Sequence, residues 1–353
     1  MAEHSIAVIG GDGIGPEVVA QGVRVLKALA EKRELQVAVK EFDLGAERYL
    51  ADGTTFPDEV AQEIEEEHDA VLLGALGDPR VADMRHARDI LFGLRFGLDL
   101  FANVRPVVCL HDRLMPLVGK TARDCNFTVF RENTEGVYAG VGGQFKRGTP
   151  DEVAITEDIN TRKGVERIIR SAFDFARANE KTRVHMADKS NAMPDAHGLW
   201  QRTFRELAKE YPEIEAEHVY VDALCLYLVQ DPSQFEVVVT NNLFGDIVTD
   251  LGAGLQGGLG MAASAQLRPG APGLFEPVHG SAPPLAGKNQ ANPFATVLSI
   301  GMLLADLGHP DEELVLIDLV QRALEQGVCT RDVGGTHSTS DVGDWLVEQL
   351  QAG

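Results

Sequence analysis

The chain has 353 residues, 44% of them hydrophobic, enough to bury a substantial core and to divide into two domains. Its 54 acidic against 32 basic side chains leave a formal net charge of -22. A surface that acidic repels phosphate backbones and anionic lipid, so nucleic acid and membrane surfaces are poor candidate partners.

The four cysteines (Cys109, Cys125, Cys225, Cys329) form no CxxC spacing, so neither a disulfide framework nor a zinc site is expected. Met1-Ala2-Glu3-His4 runs into a strand without a basic-then-apolar leader. The stretch from Phe294 to Leu304 is too short to span a bilayer. A soluble, cytoplasmic protein is the expectation.

Ser5-Ile6-Ala7-Val8-Ile9 reads as a strand ending in the glycine-rich Gly10–Gly15, and Val18, Val19, Val23, Leu26 and Leu29 follow at helical spacing. Strand, turn and helix begin a βαβ unit. Gly11-x-Gly13-x-Gly15 invites a nucleotide-binding reading, with Glu41 or Asp43 as ribose ligand. The spacing is not the full GxGxxG, and Pro16 removes an N–H that a phosphate would want, so a tight strand-to-helix connection is preferred. Asp69 to Gly77 is a second buried strand, and Phe127 to Phe130 another. Arg95, Arg105 and Arg131 sit at element ends beside apolar segments. Each alone suits a surface ion pair, but three together suggest a polyanionic small substrate, because the guanidinium fork binds carboxylates bidentately.

Gly164 to Ala178 is helical, and Val184 to Asn191 is a strand running into a polar turn that carries Lys189, a candidate base or anion ligand. Asp222 lies inside the apolar run Val219 to Leu226, where a lone charge is costly unless paired or on a metal. Phe235 to Val239 is a buried strand, and Phe244 onward has helical spacing. That places Asp246 and Asp250 at i and i+4 on one face. The pair suits a hard divalent ion, or is an ordinary solvated acidic face. Leu274 to Lys288 reads as a long loop fixed by prolines and glycines, which is usually functional.

Set side by side, GDGIGPE at 11–17, LR-x8-NVRP at 94–106, RENTEGVY at 131–138, DKSN at 188–191, YVDA at 220–223, NLFGDIVTD at 242–250 and EPVHGSAP at 276–283 resemble one family nearly end to end. It is the isocitrate/isopropylmalate dehydrogenase family of metal-dependent β-decarboxylating dehydrogenases. The resemblance implies an α/β, two-domain isopropylmalate dehydrogenase-like fold with an active-site cleft between domains. It implies a discontinuous first domain, 1–102 plus 255–353, carrying most of the cofactor site. The second, 103–254, is expected to carry the dimer interface and the metal and catalytic residues. Arg95, Arg105 and Arg131 are expected to grip the substrate carboxylates, and Asp246 and Asp250 to hold Mg²⁺ or Mn²⁺ with Asp222 of a second subunit. Lys189, also from that subunit, is the expected base, kept partly neutral by burial and nearby positive charge, and Tyr138 the expected acid. Glu276, the loop His279, Gly280, Ser281, Ala282 and Pro283, and Asn292 are expected to cradle the cofactor.

Among the family's substrates, small 2-hydroxy di- and tricarboxylates, the residues favour 3-isopropylmalate. Leu91 and Phe92 offer an apolar wall where an isocitrate enzyme carries Ser and Asn, and an isopropyl group buried there is worth roughly 2 kcal/mol. RENTEG at 131–136 points the other way, toward isocitrate, homoisocitrate and tartrate/malate enzymes. Pro284-Leu285 supplies neither a carboxylate for the ribose hydroxyls nor a cation for a 2′-phosphate. NAD is expected over NADP because a phosphate needs positive partners. A non-catalytic regulatory subunit would lack at least one of Lys189, Tyr138, Asp222, Asp246 or Asp250; all are present.

Overall fold

Short aliphatic runs become buried strands, and the glycine-rich ends of those runs become turns. The computed structural model describes residues 4–352. The chain opens with β1 (His4–Gly11), α1 (Gly15–Arg33), β2 (Val37–Glu41), α2 (Ala46–Asp52), α3 (Asp58–Glu67), β3 (Ala70–Ala75) and α4 (Arg85–Gly97). It continues through β4 (Ala102–Val108), β5 (Asn126–Glu132), β6 (Gly142–Phe145), β7 (Val153–Thr156), α5 (Arg162–Ala178), β8 (Arg183–Asp188) and α6 (Pro194–Leu207). Next come β9 (Glu215–Tyr220), α7 (Val221–Gln230), β10 (Val237–Thr240) and α8 (Asn242–Leu255). It closes with β11 (Ala263–Leu267), β12 (Gly273–Pro277), α9 (Phe294–Asp306), α10 (Pro310–Glu325) and α11 (Thr339–Ala352).

Two compact units share this chain. One comprises the residues up to Leu100, Val108–Ala122 and the stretch from Ala253 onward; the other comprises Phe101–Val107 and Arg123–Gly252. Residues 108–122 thus group with the first unit rather than with the 103–254 stretch to which sequence reading assigns them. In the first unit the strands run β2-β1-β3-β12-β11, parallel except for the β11–β12 pair. β3 is buried along its whole length, and α9, apolar on every side, packs inside with Phe294, Ile300 and Leu303 fully covered. In the second unit the strands run β4-β5-β10-β8-β9, with β5, β10, β8 and β9 mutually parallel. Val165, Ile168, Ile169 and Phe173 form the buried face of α5, and Thr161 caps its first turn. β6 and β7 form a separate antiparallel hairpin, exposed throughout. Among the described residues no helix is long and apolar enough to cross a membrane.

The glycine-rich turn after β1 is a structural knot. Asp12 spends both carboxylate oxygens inside the fold, on the N–H groups of Ala46 (2.6 Å) and Gly77 (2.7 Å) and on His86 Nε2 (2.9 Å). Gly13 has φ +58, and a Cβ there would stand 2.0 Å from the carbonyl oxygen of Ser281. Gly13→Ala therefore combines left-handed strain with a backbone clash. The expected cost is about 2 kcal/mol or more, read as a lower Tm.

Two expectations are corrected. The stretch 274–288 opens as β12, so the loop proper starts only after Pro277. Asp222, inside an apolar run, is not buried: β9 ends at Tyr220, and Asp222 sits in the first turn of α7 with 66% of its side chain accessible, paired with Lys189. The apolar run misleads because α7 leaves Leu226, Tyr227 and Val229 exposed as well.

Candidate active site

In the second unit, β4 and β5 deliver Arg105 and Arg131, both nearly buried, and α8 delivers the carboxylates. A buried guanidinium is costly unless its donors are matched. Arg131 spends Nε (3.0 Å) and Nη2 (2.7 Å) on Asn242 Oδ1 and donates Nη1 to Asp246 Oδ1. Arg105 Nη1 donates to Thr249 Oγ1 (2.6 Å) and lies 3.4 Å from the same Asp246 oxygen. Tyr138 OH donates to Asp246 Oδ2 at 2.9 Å, and the Arg131 guanidinium lies 5.4 Å from the Tyr138 ring centre. Gly245 makes this approach possible, since a Cβ there would stand 2.5 Å from Arg131 Cγ.

Asp250 follows Asp246 by one helical turn and is exposed. Partial burial and the neighbouring Asp246 carboxylate push its carboxyl above the usual range, against the pull of Arg105 and Arg131. Lys189, at the carboxyl end of β8, donates Nζ to Asp222 Oδ1 at 2.6 Å. That bond holds Asp222 below the usual carboxylate range. Its partner is thus a carboxylate, not the positive charge expected beside it. The reason is local: β8 and β9 are neighbours, and α7 begins where β9 ends.

The donor set partly fits a divalent ion. Asp246 and Asp250 offer the carboxylate oxygens that hard cations take. Among the described residues, however, no three His, Cys, Asp or Glu side chains converge on one point. One chain supplies this pair, with Asp222 held apart on Lys189.

In the first unit, Leu91, Phe92 and Arg95 share α4. Arg95 is buried, donates Nε to Gln266 Oε1 (3.0 Å) and stacks near the Phe92 ring, while Gln266 reaches Glu276 on β12. A pocket of ≈ 750 Å³ is lined by Ile14, His279, Gly280, Ala282, Leu285 and Asn292, among others. His279 Nδ1 lies 3.1 Å from the Gly280 carbonyl oxygen, while its buried Nε2 has no partner. Burial holds this imidazole below its usual range, so Nε2 is an acceptor awaiting a donor. Asn292 Nδ2 donates to Asp332 Oδ2 at 3.0 Å. Ser281 contributes its backbone, accepting the Ile14 N–H, and Pro283 opens a short helical turn beside it. The pocket also contains a cation that reading Pro284-Leu285 alone does not reveal: Arg331, forty-odd positions later, lines it.

Two residues to which the sequence assigns no role of their own, Glu132 and Asn241, complete the second unit's site. Glu132 is almost wholly buried, and its carboxylate accepts the N–H groups of Thr134 (3.0 Å) and Glu135 (2.7 Å), fixing the turn that leads to Tyr138. Burial pushes its carboxyl up. Asn241 caps α8 by accepting the Phe244 N–H at 2.9 Å.

Carboxylates aligned on one helix, guanidinium groups, a tyrosine and a lysine–aspartate pair are the equipment of a hydroxy-acid oxidoreductase. The model describing isocitrate/isopropylmalate dehydrogenases matches residues 5–346. The chain belongs to this family. A 3-isopropylmalate dehydrogenase from Thermobifida fusca is 44% identical over 352 residues, covering 98% of this chain and 97% of its own. One from Frankia casuarinae is 50% identical over 309 residues, covering 87% and 88%. The crystal structure of isocitrate dehydrogenase from Methylococcus capsulatus superposes with a TM-score of 0.86 at 36% identity, covering 99% of both chains. Membership in the isocitrate/isopropylmalate dehydrogenase family implies decarboxylating dehydrogenation of a small-molecule substrate, with a nicotinamide cofactor and a divalent metal.

Proposed function

We propose that this enzyme oxidatively decarboxylates 3-isopropylmalate with NAD and Mg²⁺ or Mn²⁺, as a step of leucine biosynthesis. The observation that carries the substrate is the wall on α4. Phe92 packs on Phe96 with ring centres 5.2 Å apart, and Leu91 adjoins a core cluster. An isopropyl group gains from such a surface, whereas a third carboxylate would lose hydration there. Relatives named 3-isopropylmalate dehydrogenase at 43–50% identity support the same substrate.

Arg95, Arg105 and Arg131 bind the two carboxylates. Asp246 and Asp250, with the partner subunit's Asp222, hold the divalent ion, which when bound supplies positive charge for the oxyanion that develops on the substrate. The His279–Pro283 loop, Glu276 and Asn292 would hold the nicotinamide cofactor, which when bound would supply the hydride acceptor. Lys189 takes the proton of the substrate hydroxyl, and Tyr138 delivers a proton to the carbon that has lost CO₂. Tyr138 is already oriented for this by its bond to Asp246. A homodimer forms through the second unit, where Leu226, Val229 and Ile247 expose 53%, 48% and 55% of their surface.

A second reading, oxidation of isocitrate, homoisocitrate, D-malate or tartrate, is favoured by the RENTEG turn that Glu132 organises. Steady-state kinetics with all five acids, each with NAD and NADP, separates them. The expected result is the highest kcat/KM for 3-isopropylmalate with NAD. A highest value for isocitrate would overturn the assignment of Leu91 and Phe92, and a preference for NADP would give Arg331 the 2′-phosphate.

A further inference from the structure

The backbone of Lys189 is held from an unexpected side. Its carbonyl oxygen accepts the N–H groups of Ala192 (3.0 Å) and Met193 (2.9 Å), closing the turn after β8. Its own N–H is given to a side chain, Nδ1 of His197, at 2.9 Å. His197 lies on α6, fully buried. Acceptance on Nδ1 places the ring proton on Nε2, where Asp158 Oδ2 lies 3.3 Å away. The same Nε2 is 3.2 Å from Asn241 Nδ2, and the ring meets Phe244 edge-on with centres 5.4 Å apart. Asn241 and Phe244 are the cap and first turn of α8, the helix that carries Asp246 and Asp250.

We propose that His197 is a positioning residue for the reaction. By accepting the Lys189 N–H on Nδ1, it fixes the turn that carries this lysine and braces that turn on the head of α8. The proposal rests on the reading of Lys189 as the base. Asp158 sets the tautomer, keeping the proton on Nε2 so that Nδ1 stays free to accept. On the other flank, Asp188 Oδ1 accepts from the Ser190 N–H (3.0 Å) and lies 2.8 Å from His218 Nε2. Backbone on both sides of Lys189 is thus tied to buried side chains rather than to solvent.

Two amide substitutions separate the two ring nitrogens. His197→Asn puts an amide oxygen where Nδ1 stands and keeps an acceptor for the Lys189 N–H. His197→Gln reaches the Nε2 position instead and leaves that N–H unmatched. On the best substrate of the wild-type enzyme, kcat of the Asn variant should stay within about threefold of wild type. That of the Gln variant should fall about 10- to 100-fold, with KM changing less than about threefold. Asp158→Asn can donate to Nε2 and move the proton onto Nδ1, so it should fall like the Gln variant, and it tests the same link if the Gln chain does not fold. Unchanged kcat throughout, equal losses in the Asn and Gln variants, or a loss carried by KM overturns the proposal. A wild type without turnover on any of the five acids overturns the functional reading and the proposal with it. An active wild type whose variants do not rank this way overturns the proposal alone.

Discussion

Lys189→Met is expected to lower kcat on 3-isopropylmalate about 10²- to 10⁴-fold while divalent-ion binding stays within a few-fold of wild type. Methionine keeps the length and apolar stem of lysine but has no basic nitrogen. The stem should still pass near Tyr220, whose ring centre lies 5.9 Å from Nζ. A thousandfold loss corresponds to about 4 kcal/mol of transition-state stabilisation, far more than an exposed ion pair supplies. The loss can therefore be told apart from the mere removal of the Lys189–Asp222 contact. That contact, 2.6 Å between partners with 27% and 66% of their side chains accessible, is largely solvent-screened. Its removal frees Asp222, so Mn²⁺ affinity measured by titration calorimetry should not fall. Single-turnover kinetics makes the check independent of product release. A variant within tenfold of wild-type kcat would remove Lys189 as base.

The parts of the architecture readable in advance are those where one residue type has one physical use. The strand-turn-helix at the start of the chain is legible because Ile6 to Ile9 are fully covered and Gly13 accepts an approach no side chain tolerates. Asp246 and Asp250 are legible because helical spacing puts them on one face. The exposure of Asp222 is hidden because the run from Val219 to Leu226 crosses from β9 into α7 without any change of polarity. An outward helix face that stays apolar erases the pattern that normally marks such a junction. The β6–β7 hairpin leaves no trace for a related reason: its strands are short and wholly exposed, so no buried face imprints a period of two. His197 and Arg331 escape for a third reason. Their significance lies in Lys189, Asp158 and Asn241 for the one, and in the pocket around His279 for the other, contacts that only folding creates.

Mixing two inactive chains should restore activity. In the proposed dimer, each site combines Asp246, Asp250, Arg105, Arg131 and Tyr138 of one chain with Lys189 and Asp222 of the other. Within one chain the lysine is committed to Asp222 while Tyr138 and the two arginines converge on Asp246. Lys189→Met and Asp246→Asn chains should each be inactive alone. Asn keeps the shape of Asp246 and an oxygen for the arginines but loses the charge that a cation needs. Refolded together, half of randomly paired dimers carry both variants, and each of these has one intact site, so about a quarter of wild-type activity should return. Asp250→Asn in place of Asp246→Asn should behave alike and leaves the buried arginines their carboxylate. Sites complete within a single chain predict background activity in every mixture, since no chain then holds both functional groups. The interface provides the reciprocal test. Leu226→Glu with Ile247→Glu places charge on one exposed apolar position of α7 and one of α8, which should yield a folded monomer by light scattering. If Lys189 and Asp246 act across the interface, that monomer has both residues and no turnover; a monomer with wild-type kcat would show that each chain builds its site alone.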